Sequence, residues 1–231
     1  MLLDLLPTPQ FAPGESPFHA RGLVYLGAQS YYEANVPGGI EAVMAALADG
    51  RMQTFFSQTF LASSWYDILP IVQISAAAAK VSGVPHRELI VANARNVARR
   101  DIPTIYKLLL RLSSPEAVVL RMPKASMRYF DFGESSASMK QPRLCEAYQK
   151  GIPRELAGWV FHAAEGFTDV ALGLAGAHDI KVRVDSPVVD SRDYGVGRQP
   201  GQLRQLRAQP DGDEQPGHRP QRDVRFEQRD E

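Results

Sequence analysis

Apolar positions along this chain recur mostly at helical spacing. Ile40, Val43, Met44 and Leu47 fall at i, i+3, i+4 and i+7, one face of a helix that Gly50 is expected to close. Before it, Leu23–Leu26 reads as the start of a strand or a buried turn into a helix. Tyr31–Asn35 reads as a short helical piece stopped by Pro37-Gly38-Gly39. Met52, Phe55, Phe56 and Phe60 continue the apolar spacing. Ser63 or Ser64 can cap a helix running from Trp65 through Lys80, kinked or broken near Leu69 by Pro70 and ended by Gly83. Pro85 opens a helix through Arg100, and Pro103 begins a further piece with Ile105, Leu108, Leu109 and Leu112. Ser113-Ser114-Pro115-Glu116 combines a serine cap, a proline at the first helical position and an acid in the first turn. The helix it starts carries Val118, Val119, Met122, Met127 and Phe130, with a kink at Pro123.

After Gly133 the period shortens. Ala137 and Met139 alternate with polar neighbours over Glu134–Lys140, a half-exposed strand, and Arg143–Gln149 is its antiparallel partner or a loop. Ile152–Leu174 is the clearest helix. Ile152, Leu156, Trp159, Val160, Ala163, Phe167, Val170, Ala171 and Leu174 form its apolar face. Glu155, His162 and Asp169 form a second line, and Gly158, Gly166 and Gly173 a third; Gly176 ends the helix. Ile180, Val182 and Val184 then alternate as a half-buried strand, with Val188–Tyr194 turning into another. The pattern predicts an α+β domain, mostly helical, with a small antiparallel sheet towards the C-terminus.

Composition bounds the function. Of 231 residues, 44% are hydrophobic and 23% charged, with 26 basic against 26 acidic side chains. That is an ordinary globular balance, and zero net charge argues against a generic nucleic-acid binder. One cysteine, Cys145, leaves no intrachain disulfide or multi-cysteine zinc site. The start MLLDLLPTP lacks a basic region and meets proline early, unlike a signal peptide, and no run reaches the roughly 18 apolar residues a spanning helix needs. A soluble, cytoplasmic protein is the expectation.

Three regions follow: a Pro-rich leader over 1–17, read as an extended arm; one domain over 18–197; and a tail over 198–231. The tail holds no Lys, Ser, Thr, Asn or Ile, and its sizeable apolar residues are Leu203, Leu206, Val224 and Phe226. Such a segment cannot bury enough apolar surface to offset its ordering entropy and is expected to be disordered. It reads either as a polyampholyte interaction tail or as a frameshifted or artificial end beginning near Gly197.

Four short motifs carry a resemblance: Arg21-Gly22-Leu23, Trp65-Tyr66-Asp67-Ile68-Leu69-Pro70, Tyr129-Phe130-Asp131-Phe132-Gly133, and Leu174 to Val182 (LAGAHDIKV). Together they resemble a domain family of unknown function abundant in myxobacteria. That family is similar in layout to 4-vinyl-reductase-like domains, haem-NO-binding domains and Bet3-type vesicle-tethering subunits. The resemblance spans roughly 18–195 and implies a small or apolar ligand held in a helical pocket, or a dimerising scaffold. Two family features are missing. The Tyr-x-Ser-x-Arg motif that haem-NO-binding domains place on the haem propionates does not occur, and Val184–Gly197 lacks the paired cysteines of many 4-vinyl-reductase-like domains.

Candidate chemistry is sparse. Cys145 with His162 would make a nucleophile and base if they met, but a lone cysteine is most often a small buried hydrophobe. His162 with Glu155, Glu165 and Asp169 offers metal-ligand spacing, against the simpler reading of a solvated face. Arg95, Arg99 and Arg100 would clamp an anion or complement a helix C-terminus. No phosphate-loop pattern occurs. Phe55, Phe56, Phe60, Trp65, Tyr66, Trp159, His162 and Gly166 are the candidate ligand-binding residues, with an ordinary aromatic core and helix packing as the alternative for each. No catalytic residue, metal ligand or cofactor is assigned. The reading is a non-catalytic sensory or scaffold domain, expected to be homodimeric, that binds a small apolar ligand or a protein partner. Its alternative is a haem- or metal-binding protein or enzyme centred on His162.

Overall fold

The computed structural model describes residues 10–105, 114–182 and 206–207. Among them lie seven helices and two small antiparallel sheets, a mostly helical α+β domain. The helices are α1 (Leu23–Asn35), α2 (Gly39–Ala46), α3 (Gly50–Ser57), α4 (Pro70–Ser82), α5 (His86–Ile105), α6 (Pro115–Ser126) and α7 (Arg154–Leu174). Strands β1 (His19–Arg21) and β2 (Trp65–Asp67) make one sheet. Strands β3 (Glu134–Gln141), β4 (Leu144–Lys150) and β5 (Leu206–Arg207) make the other, in the order β3-β4-β5.

Local chemistry sets most boundaries. Ser114 caps α6 by accepting from the Ala117 N–H at 3.3 Å, with Pro115 behind it. Gly83 ends α4 in a left-handed conformation (φ 66°). Gly50 does not close α2. Asp49 accepts from the Arg51 N–H at 2.9 Å, so the cap starts α3 and Gly50 becomes its first residue. Leu23–Leu26 belongs to one helix with Tyr31–Asn35, and α5 runs through Pro103 without a break.

The largest departure from the sequence reading is Trp65–Asp67. It is not a helix start but a strand, paired with β1 in the register His19↔Asp67, Ala20↔Tyr66, Arg21↔Trp65. Pro70 is therefore no kink; it occupies the first turn of α4, where its missing N–H costs nothing. The pairing is reinforced by the Arg21 guanidinium, 3.8 Å from the centroid of the Trp65 ring.

Asp67 organises this region. Its side chain is buried and accepts from Gly14 N–H (2.9 Å), Ser16 N–H (3.2 Å), the Ser16 hydroxyl and Leu69 N–H (2.9 Å). Its backbone carbonyl accepts from the Tyr25 hydroxyl at 2.6 Å. Residues 10–17 of the leader are thereby docked on the domain; residues 1–9 lie outside the described residues. The same strand region reaches the second half of the chain. Arg21 N–H donates to the Tyr129 carbonyl (2.8 Å), Ala20 bridges Phe130, and the Asp131 carboxylate accepts from His19 N–H (2.7 Å) and faces His19 Nδ1 (2.6 Å).

The main core is built from Tyr25, Tyr32, Val43, Phe56, Ile68, Ile71, Ile74, Leu156 and their neighbours, all buried. A smaller cluster of Val119, Leu144, Cys145, Leu172 and Ala177 sits under the β3–β4 hairpin. Ile180 and Val182 pack against it without forming a strand; Val184 and the turn after Val188 lie outside the described residues. So does the tail, apart from Leu206–Arg207, which pairs with Glu146 and Ala147.

Asp67→Ala removes an acceptor from four donors at a buried position. It should lower unfolding stability by about 3 kcal/mol, the scale of losing hydrogen bonds to a charged group. Urea denaturation measures this, and a change below about 0.5 kcal/mol would refute the central place given to Asp67.

Candidate functional site

Four helices (α1, α5, α6 and α7), the Tyr129–Phe130 segment and the hairpin border a half-open cavity of about 180 Å³. On α5, Ile90, Asn93, Ala94 and Val97 face it, at the i, i+3, i+4, i+7 spacing of one helix face. On α6 the facing residues are Val119, Met122, Pro123 and Ser126, at the same spacing. Pro123 has no N–H to give the Val119 carbonyl, so the helix is weakened where it borders the cavity. Trp159, Val160, Ala163 and Phe167 line it from α7, and Ala147 and Gln149 from β4. The lining is overwhelmingly apolar. A cavity of about 150 Å³ lined by Leu, Ile and Phe holds benzene, so this one accommodates a ligand of about one ring. Two further hollows of about 20 Å³ each take no more than a water molecule.

The walls also carry polar side chains: the hydroxyls of Ser126, Tyr129, Ser135, Ser136, Tyr148 and Thr168 and the amides of Asn93 and Gln149. Asn93 is buried, and its Oδ1 has no hydrogen-bond partner; the same is true of the buried Oε1 of Gln149. Thr168 donates to Met122 Sδ at 3.8 Å, and the Tyr148 hydroxyl donates to Glu146 Oε2 at 2.7 Å. No Lys, Arg or His is among the lining residues.

Of the residues singled out in the sequence, Trp159 lines this cavity. Phe55, Phe56, Phe60 and Tyr66 lie in the main core or against it. Tyr25 stacks on Phe60 with centroids 4.4 Å apart, Phe55 meets both rings edge-on, and Tyr66 meets Phe60 at 4.9 Å. These rings fill one another's space. Trp65 is partly exposed beneath Arg21. Gly166 is taken up by helix packing, since a Cβ there would lie 2.3 Å from the Val91 carbonyl oxygen and 3.0 Å from Ala94 Cβ. It lets α7 touch the backbone of α5.

His162 is buried, not on a solvated face, and neither ring nitrogen has a hydrogen-bond partner. Its Nδ1 lies 3.8 Å from Glu165 Oε2. It is outside the cavity wall. Two of the carboxylates considered with it are paired with arginines: Glu165 with Arg87, and Asp169 with Arg95 Nε at 2.8 Å. Among the described residues no three His, Cys, Asp or Glu side chains are grouped to hold a metal ion. The arginine cluster is also redistributed. Helix α5 continues to Ile105, so Arg95 and Arg99 stand inside the helix, Arg95 bound to Asp169 and Arg100 to Asp101 at 2.7 Å. The helix-terminus account does not hold for them.

Cys145 is buried under the hairpin in the cluster with Val119 and Leu172. Burial, its largest influence, pushes the thiol up to about 12, with the Glu146 charge adding to it. A thiol so held is protonated at neutral pH and inert as a nucleophile. Asn93 and Gln149 were not singled out in the sequence. Asn93 interrupts the apolar stripe Ile90–Ala94–Val97 at i+3, a signal that was available; Gln149 gave none beyond strand alternation.

No protein-family model matches the chain, and no curated protein matches it in sequence. Solved structures do match in fold. The H-NOX protein of K. algicida in the unliganded Fe(II) state aligns with a TM-score of 0.61 at 10% identity, covering 83% of this chain and 97% of that one. An H-NOX protein from S. oneidensis in the Fe(II) state gives 0.58 at 12% identity, covering 91% and 97%. An oxygen-binding H-NOX domain related to soluble guanylate cyclases gives 0.52 at 11% identity, covering 89% and 92%. The chain thus has the fold of haem-NO-binding domains. The myxobacterial, 4-vinyl-reductase-like and Bet3-type resemblances rest on sequence alone. No helix among the described residues is long and apolar enough to cross a membrane.

Two outcomes follow. Gly166→Val forces α7 off the Val91 carbonyl and should cost about 2 kcal/mol or more, visible as a lower thermal midpoint. Cys145 should react with a thiol reagent at pH 8 only as the protein unfolds. Its raised native pKa stabilises the fold below the unfolded thiol value of about 8.5, and that contribution is lost as pH rises from there towards about 12. Rapid labelling of the native protein would contradict this.

Proposed function

We propose that this chain is a non-catalytic, ligand-sensing domain whose small apolar ligand occupies the cavity between α1, α5, α6, α7 and the β3–β4 hairpin. The observation that carries the reading is the cavity itself, about 180 Å³ with a mostly apolar surface, in a fold shared with an oxygen-binding H-NOX domain. The fold likeness favours a ligand-binding domain over a scaffold without a pocket. A homodimer remains part of the proposal. Gly166 is spent inside the fold, so a dimer interface would lie elsewhere.

The haem-binding alternative draws on the same fold likeness and on the two unpartnered ring nitrogens of buried His162. The donor set of the cavity does not fit haem. Haem iron takes His, Cys, Met or Tyr as its protein ligand. Neither His nor Cys lines the cavity, Met122 Sδ accepts from Thr168, the Tyr148 hydroxyl is given to Glu146, and the Tyr129 hydroxyl is buried in the wall and exposes no surface to the cavity. The chain lacks the Tyr-x-Ser-x-Arg motif as well. We therefore assign the cavity to an organic ligand.

Toluene titrated into the full chain should raise its thermal stability, by about 2.7 kcal/mol at a hundredfold excess over Kd. Ala163→Leu, which fills the cavity, should remove that response while leaving the circular-dichroism spectrum intact. An equal response in the variant would defeat the cavity assignment. Added hemin should give no stoichiometric Soret band. A one-to-one band lost in His162→Ala would move the function to the haem reading.

A further inference from the structure

We infer that the outer face of α6 is a docking surface for an anionic lipid bilayer. Leu120 and Met127 are 46% and 60% exposed, and among the described residues they are the two large exposed apolar side chains that share one helical run. Met127 follows the last residue of α6 in helical conformation, and the Arg128 N–H donates to the Ala125 carbonyl at 3.1 Å, so the turn carries on past Ser126. At about 100° per residue, Leu120, Arg121, Lys124, Met127 and Arg128 fall within about a third of the helix circumference. All five are exposed. Val119, Met122, Pro123 and Ser126, which line the cavity, lie on the other side of the helix.

Charge and shape select this partner. Arg121, Lys124 and Arg128 flank the two apolar side chains, and the one acid of the helix, Glu116, stands in its first turn, at the end away from Met127. Lys124 and Arg128 enter no ion pair among the described residues. Cations near a helix C-terminus complement its dipole. That accounts for Lys124 and Arg128 but not for the leucine and methionine exposed beside them. Apolar groups and cations on one helix face suit a bilayer surface, where the first enter the acyl boundary and the second meet phosphates. Shape decides against a folded protein. A single convex ridge with two apolar side chains falls well short of the roughly 800 Å² per partner of a standard protein interface. Lipids close around such a ridge without a matching groove. Attachment of this kind is weak and reversible. It does not depend on what the cavity holds, although the same helix borders the bilayer on one side and the cavity on the other.

The experiment is flotation of the full chain with vesicles of phosphatidylcholine alone, and of phosphatidylcholine mixed with phosphatidylglycerol, at low salt. Partitioning onto the mixed vesicles should exceed that onto the neutral ones by at least about tenfold, and added salt should release the chain. Lys124→Gln and Arg128→Gln should each weaken partitioning about fivefold, the share of one basic residue at an anionic surface. Leu120→Gln and Met127→Gln should each weaken it about fivefold through lost apolar burial. Arg51→Gln removes an exposed cation on α3 and should change partitioning by less than about twofold. All these side chains are exposed, and circular dichroism checks that each variant is folded. Equal binding to neutral vesicles overturns the anionic class. An equal loss in Arg51→Gln overturns the assignment to α6, as does full binding by the Leu120→Gln and Met127→Gln variants. Flotation with neither vesicle defeats the proposal. If sedimentation velocity then shows a dimer that Met127→Gln dissociates, the face belongs to a second copy of the chain and not to lipid.

Discussion

A single carboxylate holds the first half of this domain together. Asp67 ends a three-residue strand that could not persist alone, because two short strands bury too little surface. Its oxygens collect the leader at Gly14 and Ser16 and the entry to α4 at Leu69, while its carbonyl receives Tyr25 from α1. Two distant segments and the adjoining entry to α4 thus share one acceptor residue in a low-dielectric setting, where such bonds are strong and a missing one is expensive. Three of the four motifs that carried the family resemblance converge here. Arg21-Gly22, Trp65 to Pro70 and Tyr129 to Gly133 meet as paired strands and their bridge to the second half, and their role is architectural.

Helix α5 links that architecture to the cavity. One side of it receives α7 at Gly166 and the ion pairs to Glu165 and Asp169; another lines the cavity through Ile90, Asn93, Ala94 and Val97. The ion pairs are partly exposed and contribute little each, about 0–1 kcal/mol. The backbone contact at Gly166 fixes the spacing. Helix α6 closes onto this seam at Val118, which packs with Ala98, Ile102 and Ala171, and the cavity lies beside that contact. Proline at 123 interrupts the hydrogen bonding of α6, and the small residues Ala147 and Ala163 on the facing walls do not reach across.

Elements governed by neighbours in sequence were readable. Ser114-Pro115, Gly83 and the long amphipathic helix ending before Gly176 all appear as expected, as does the hairpin after Gly133. Elements governed by distant partners were not. Trp65–Asp67 becomes a strand only because His19–Arg21 lies beside it, and Pro70 changes meaning with it. The aromatic residues were legible as a group but not as a filled cluster, since filling depends on which rings meet. Trp159 alone among the candidate residues faces the cavity, because a void is a property of several elements at once. Asn93 was visible as a polar break in an apolar stripe, but that break carries weight only once its partner atom is known to be missing.

The close approaches at the α5 surface have a mechanical side. Besides Gly166, Gly27 on α1 brings that helix so near that an added Cβ would lie 2.8 Å from Val97 Cγ2. Helix α5 is therefore braced by two neighbours at near-contact distance and has little room to yield. The wall opposite is the softer one: α6 is weakened by the proline at 123, beside the β3–β4 ribbon. A guest that strains its enclosure displaces the softer side. Any such strain therefore falls on α6 and the ribbon, with the braced helix as the fixed side of the cavity.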